Sequence, residues 1–292
     1  MVYFNWVKIM KKITIGELAG FCGGISSCVS TLKSKLNDYG TLYCIGDVVH
    51  NKDVVNKFTE MGLVIVDSID EIPDNEISVI RAHGAKKELY EEAERRNIRL
   101  IDLTCPKVLK IRELIENYIN KDDNFIILFG EKNHPETIST FSFCGSNSAI
   151  ISDEKDIDEV VDICSRYKNI IIVTQTTFNE KKFLEYCDIL KEKLGNCNVE
   201  INNTICNATH SRQLEVEEMA KNNDCMIIIG GAKSSNSNKL NDISKKYCKN
   251  TYFIENINDL DIKEVVKFDN IGIMAGASTP KYIIDEVYDA LC

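Results

Sequence analysis

Asn-Phe-Ile-Ile-Leu-Phe at 124–129 runs directly into Gly-Glu-Lys-Asn-His-Pro-Glu at 130–136. A short apolar run bounded by a polar corner reads as a β-strand. The same succession recurs at 41–50, Thr-Leu-Tyr-Cys-Ile-Gly-Asp-Val-Val-His, and at 225–236, Cys-Met-Ile-Ile-Ile-Gly-Gly-Ala-Lys-Ser-Ser-Asn.

Outward from these three stretches, β-branched runs alternate with amphipathic ones along the chain, which predicts an α/β fold with mostly parallel strands. Strands are expected at 12–18, 41–45, 63–66, 77–82, 98–103, 124–129, 148–151, 170–174, 199–203, 225–230, 251–254 and 271–275. Helical spacing marks Ile25, Val29, Leu32 and Leu36, and again Phe183, Cys187, Leu190 and Leu194. Pro106 and Pro280 suit first helical positions, where a missing N–H costs nothing.

In order, the elements form a repeat: strand, polar loop, strand, linker, strand, polar corner, helix, strand, cysteine, helix. Three similar small α/β units with pseudo-threefold symmetry are therefore expected: 23–105, 106–202, and 203–292 completed by 10–22. Residues 1–9 form an N-terminal extension. Cys22, Cys105 and Cys206 each end the fourth strand of a unit in this scheme. His50, His134 with Glu136, and Ser234-Ser235-Asn236 follow the first strands, while His83, Thr176 and Ser278 follow the third. Carboxyl ends of parallel strands are where α/β proteins place ligands.

Composition narrows the function classes. The 292 residues carry 45 acidic against 35 basic side chains, a net charge of −10, which argues against a broad nucleic-acid surface. No apolar run approaches the ~20 residues of a bilayer helix, and 1–9 make a poor signal peptide. The expected location is cytoplasmic. Twelve cysteines are present with no CxxC pair, which weakens zinc-ribbon and thioredoxin readings. Cys44, Cys164, Cys187 and Cys225 read as small buried hydrophobes.

Three thiolates brought to one point leave one coordination position open. They could hold zinc with a water, or a cubane iron–sulfur cluster with one free iron, or remain metal-free buried thiols. The hydroxyl-rich stretches 230–238 and 275–280 precede helices and read either as an anion site or as ordinary N-caps. No GxxxxGK[ST] or GxGxxG motif occurs. Glu136 is a candidate proton donor or a solvated loop carboxylate. His210, four residues after Cys206, is expected to face solvent rather than serve as a fourth ligand. The charged stretch 86–96 reads as a solvated helix face.

Taken together, GFCGG at 20–24, VVHN at 48–51, AHG at 82–84, TCP at 104–106, HPE at 134–136, TQTT at 174–177, TICNAT at 204–209, SSNSN at 234–238 and AGASTP at 275–280 resemble one family. It is the 4-hydroxy-3-methylbut-2-enyl diphosphate reductase family, often called LytB, and the resemblance runs from about Met10 to the end. It implies three α/β units around a central [4Fe–4S] cluster, one per chain, held by Cys22, Cys105 and Cys206. It implies a diphosphate site of His50, His83, His134, Ser234, Ser235, Asn236 and Ser278. Catalytic roles fall to Glu136 as proton source, to Thr176 beside the departing hydroxyl, and to His134.

The implied reaction is reductive loss of that hydroxyl, giving isopentenyl and dimethylallyl diphosphate at the last step of the non-mevalonate isoprenoid route. Ferredoxin or flavodoxin is the implied electron donor, with no nucleic-acid or membrane partner. Departures from the family pattern are Ile25-Ser26-Ser27 after the first motif, Thr137, Ile138 and Ser139 after HPE, and Arg112 where a histidine is usual. They keep open a divergent member that serves as an iron–sulfur redox or oxygen sensor, or that takes another allylic diphosphate.

Overall fold

A computed structural model describes residues 11–119 and 121–292, so the extension at 1–9 lies outside the described residues. The strands are β1 (Lys12–Ile15), β2 (Leu42–Ile45), β3 (Leu63–Val66), β4 (Ile77–Ile80), β5 (Arg99–Asp102), β6 (Asn124–Phe129), β7 (Ser148–Ile151), β8 (Asn169–Thr174), β9 (Asn198–Ile201), β10 (Cys225–Ile229), β11 (Thr251–Ile254) and β12 (Asn270–Ala275). The helices are α1 (Gly23–Tyr39), α2 (Lys52–Glu60), α3 (Lys87–Arg95), α4 (Pro106–Glu116), α5 (Pro135–Phe141), α6 (Asp156–Cys164), α7 (Glu180–Lys193), α8 (Asn207–Asn222), α9 (Ser235–Tyr247), α10 (Ile262–Val265) and α11 (Lys281–Leu291). None of them is long and apolar enough to cross a membrane.

Each expected strand is present, and the strands form three four-stranded sheets, ordered β3-β2-β4-β5, β7-β6-β8-β9 and β11-β10-β12-β1. All pairings are parallel. β1, far away in sequence, occupies in the third sheet the edge place that β5 and β9 occupy in the others. The chain separates into two compact units, one of Cys22–His210 and one joining the residues up to Phe21 with Ser211–Cys292. The first two sheets belong to the Cys22–His210 unit, and the third belongs to the other.

The run at 124–129 is unbroken because β6 is covered on both faces, as parallel strands usually are. Phe125, Ile127 and Phe129 pack with Ile157 and Val160 of α6 and Phe183 and Leu190 of α7. Ile126 and Leu128, pointing the other way, meet Ile111 and Ile115 of α4. Burying one such side chain contributes roughly 1.5–3 kcal/mol. β10 repeats the arrangement, with Ile227 and Ile229 on one face and Met226 and Ile228 on the other.

Several local expectations are corrected. The three cysteines do not end strands: Cys22 and Cys105 cap α1 and α4, and Cys206 stands just before α8. Helices α2 and α5 follow the first strands, where only polar loops were expected. Pro280 caps α11 rather than opening it, because its ψ of 152° is extended. In α1 the buried stripe is Cys28, Leu32 and Leu36, with Ile25 and Val29 half-buried beside it. The helix face at 86–96 is largely solvated, but Arg96 bonds Asp74 Oδ1 at 2.7 Å and the carbonyls of Ile69 and Ile72.

Candidate active site

Three imidazoles meet in the Cys22–His210 unit. His50 follows β2, His83 follows β4 and His134 caps α5, so all three stand beyond carboxyl ends of strands. Their ring centroids lie 4.4 Å (His50–His83), 5.5 Å (His50–His134) and 5.4 Å (His83–His134) apart. One ring nitrogen from each lies within 4.8 Å of the others, a spacing that could serve one ion or neighbouring phosphate oxygens. His134 Nδ1 accepts from the Glu136 N–H at 3.1 Å, so a neutral His134 carries its proton on Nε2. Burial holds His83 well below the ordinary histidine range, helped by His50, His134 and Arg81. His83 is therefore a neutral hydrogen-bonding group at pH 7.

Glu136 is buried, which overturns the solvated-loop alternative. Its Oε1 accepts the Thr176 N–H at 2.6 Å and its Oε2 the Thr176 hydroxyl at 2.7 Å. Burial pushes the carboxyl up, against the opposing pull of these two bonds and of the Arg112 charge. Burial thus favours the protonated form of this carboxyl to higher pH than in a free glutamate, the direction an acid catalyst requires. The corner that presents Thr176 is itself pinned. Gln175 Oε1 accepts from Glu131 N at 3.0 Å and from Thr137 Oγ1 at 3.2 Å, while its Nε2 donates to Thr177 Oγ1 at 2.7 Å.

The three singled-out cysteines lie in the same unit at helix N-termini. The Cys22 thiol accepts from Ile25 N at 3.5 Å. Cys105 N donates to Ala82 O, next to His83, at 2.9 Å, and Cys206 N donates to Thr176 O at 3.0 Å. Burial raises the Cys105 thiol. The Lys107 and Val108 N–H groups oppose that shift, and the neighbouring Cys22 and Cys206 add to it. A Cβ on Gly24 would come 2.7 Å from Cys105 Sγ and 3.9 Å from Cys22 Sγ, so the space between these thiols exists because residue 24 has no side chain. Cys28 adjoins them but is pushed up to about 12 by burial.

In the other unit Ser234, Ser235 and Asn236 are buried at the start of α9, and Ser278 is buried after β12. Ser234 is a true N-cap, its Oγ accepting from Ser237 N at 3.3 Å. Asn236 differs. Both polar atoms of its buried amide are without a hydrogen-bond partner among the described residues. A buried amide in that state is unfavourable unless a ligand completes it. His210 pairs through Nδ1 with Glu180 at a partly exposed position.

Sequence reasoning did not single out Gln175, Gly24 or Cys28. Gln175 and Gly24 stand inside quoted motifs, and that was their only signal.

The family model described as LytB protein matches residues 13–292. The chain is 38% identical over 282 residues to the 4-hydroxy-3-methylbut-2-enyl diphosphate reductase of Clostridioides difficile (strain 630), covering 94% of this chain and 97% of that protein. To the reductase of the same name from Aquifex aeolicus (strain VF5) it is 36% identical over 282 residues, covering 95% of each. Among solved structures, the E-1-hydroxy-2-methyl-but-2-enyl-4-diphosphate reductase of Plasmodium falciparum superposes with a TM-score of 0.89 at 27% identity, covering 96% of this chain and 87% of that one. A second, (E)-4-hydroxy-3-methyl-but-2-enyl diphosphate reductase, described as the terminal enzyme of the non-mevalonate pathway, gives 0.69 at 34% identity over 97% and 99%. This chain belongs to the LytB protein family.

Proposed function

We propose that the chain is a 4-hydroxy-3-methylbut-2-enyl diphosphate reductase, converting that substrate to isopentenyl and dimethylallyl diphosphate. The reaction adds two electrons and two protons, breaks the C4–O bond and releases water. The observation that carries this reading is the buried Glu136, held by Thr176, beside three imidazoles and linked through Thr176 O to Cys206.

Cys22, Cys105 and Cys206 are suited to hold a [4Fe–4S] cluster. Three helix N-termini direct partial positive charge toward an anionic group there, and Gly24 leaves the room. A single zinc ion would draw its sulfurs to about 3.8 Å from one another. Among the described residues, only the histidine triad forms a group of three such side chains close enough for one ion, which favours the cluster over zinc at the cysteines. When bound, the cluster would supply electrons one at a time and an iron able to act as a Lewis acid.

The chain's own residues supply the rest. His50, His83 and His134 donate hydrogen bonds to phosphate oxygens inside an acidic protein. Ser234, Ser235, Asn236 and Ser278 are assigned phosphate contacts in the other unit. Glu136 delivers a proton to the departing hydroxyl by way of Thr176 Oγ1, the oxygen beside it. Ferredoxin or flavodoxin is the proposed electron donor, and the cytoplasm the proposed location.

Anaerobically reconstituted protein with reduced methyl viologen tests this. Dye oxidation with formation of both C5 diphosphates is expected. A fully loaded cluster with no turnover would overturn the reductase reading in favour of a redox or oxygen sensor.

A further inference from the structure

Arg112 is a buried cation that the proposed chemistry does not use. An interior charge is costly unless it is well bonded. From α4, its Nη1 donates to Tyr90 Oη at 3.1 Å, and its Nη2 donates to Ala85 O at 3.2 Å and to Ser139 Oγ. Ser139 Oγ in turn donates to Ala85 O at 2.9 Å. The guanidinium lies 4.6 Å from the centroid of the Phe143 ring, and Tyr90 Oη passes on to Asp102 Oδ2 at 3.1 Å.

These partners belong to two segments that carry the site. Ala85 ends the corner that begins at His83, and Ser139 lies on α5, whose first turn holds Glu136 and whose cap is His134. Gly84, between His83 and Ala85, has φ +79°, and a side chain there would strike the Arg112 guanidinium. Arg112 and Ser139, 27 positions apart in sequence, are thus direct partners.

We propose that Arg112 is a positioning residue: its guanidinium holds the His83 corner against α5, setting the His83 imidazole relative to the His134–Glu136 turn while placing a fixed positive charge near it. Its catalytic consequence rests on the reductase reading; its positioning role does not. His134 caps the helix that carries Glu136, its ring lies beside those of His50 and His83, and Arg112 from α4 is the charge that acts on the Glu136 carboxyl. Arg112 is the fixed cation among them, and it pulls the Glu136 carboxyl down.

The test compares Arg112→Met, Arg112→Lys and Ser139→Ala in reconstituted enzyme. Arg112→Met is expected to raise KM about tenfold or more and to move the alkaline limb of kcat to higher pH. Lysine keeps the charge but loses the fork, so KM rises while the limb stays. Ser139→Ala raises KM a few-fold, also without moving the limb, and serves if Arg112→Met does not fold. Amide hydrogen exchange at 84–87 is expected to quicken in the Arg112 variants and in Ser139→Ala, whether or not the protein turns over. Wild-type exchange there in Arg112→Lys and Ser139→Ala would overturn the positioning role. An unmoved limb in folded Arg112→Met would overturn the charge effect, and absent wild-type turnover would overturn only the reductase reading.

Discussion

Thr176 holds both oxygens of Glu136, its N–H 2.6 Å from Oε1 and its hydroxyl 2.7 Å from Oε2. The hydroxyl contact survives either protonation state. A carboxylate accepts from Thr176 Oγ1, whereas a carboxylic acid donates to it, and the threonine proton then turns toward another acceptor. On the proposed reading, the pair can therefore pass a proton without losing this contact.

Glu136→Gln is expected to lower turnover at least ~100-fold, the scale of a lost general acid, with cluster content unchanged. Its stability should move the other way. The folded pKa of Glu136 is raised, so the native state loses stability as pH rises above the ordinary glutamate value of 4.5 toward the folded value. The amide abolishes that loss, and thermal melts should show the variant gaining on the parent as pH rises through this window. A constant difference across pH would contradict the burial argument.

Thr176→Val removes one of the two bonds that pull the Glu136 carboxyl down. The carboxyl should climb further, and the alkaline limb of the kcat profile should shift to higher pH as kcat falls. The stability cost should be about 1 kcal/mol, typical of one hydrogen bond. Denaturant titration and a pH–rate series check the two parts separately.

Neighbouring glycines make a controlled pair. Gly24→Ala would place a methyl 2.7 Å from Cys105 Sγ, whereas a Cβ on Gly23 meets nothing within 4 Å. Iron and sulfide per chain after anaerobic reconstitution should fall sharply in the first variant and stay at the parent level in the second. Cys28→Ala should also retain iron, because burial keeps that thiol protonated. Cys105→Ser should lose it.

Binding of a diphosphate should draw protons from solution. His83 is held neutral by burial and by the two imidazoles beside it, and a polyanion placed against it favours the charged form. Calorimetry of inorganic diphosphate binding near pH 7, in two buffers of different ionisation enthalpy, should show net proton uptake. Equal heats in both buffers would show that the imidazoles stay neutral in the complex.

The strand pattern was legible because it is a local consequence of chain chemistry. A run such as 124–129 is short, apolar and bounded by polar residues, and once β6 is covered on both faces no other placement buries it. The histidine corners followed from the same reasoning, since parallel strands all deliver their carboxyl ends to one side. Helices α2 and α5 were missed because their capping residues, Asn51 and His134, stand inside motifs read for their chemistry.

Side-chain environments were decided elsewhere. Glu136 follows a proline in what reads as an exposed corner, yet it is buried and both its side-chain hydrogen bonds come from Thr176, 40 positions away. Arg112 and Ser139 were visible only as separate departures from a pattern, because nothing local connects residues 27 apart. Gly24 could be judged only once the Cys105 thiol stood beside it. Sequence determined which elements form and which residues could carry chemistry, because propensity and hydrophobic period act over a few residues. Tertiary structure alone decided desolvation, hydrogen-bond partners and nearby charge, the quantities that set a carboxyl's proton affinity, because each depends on groups that meet only when the chain is folded.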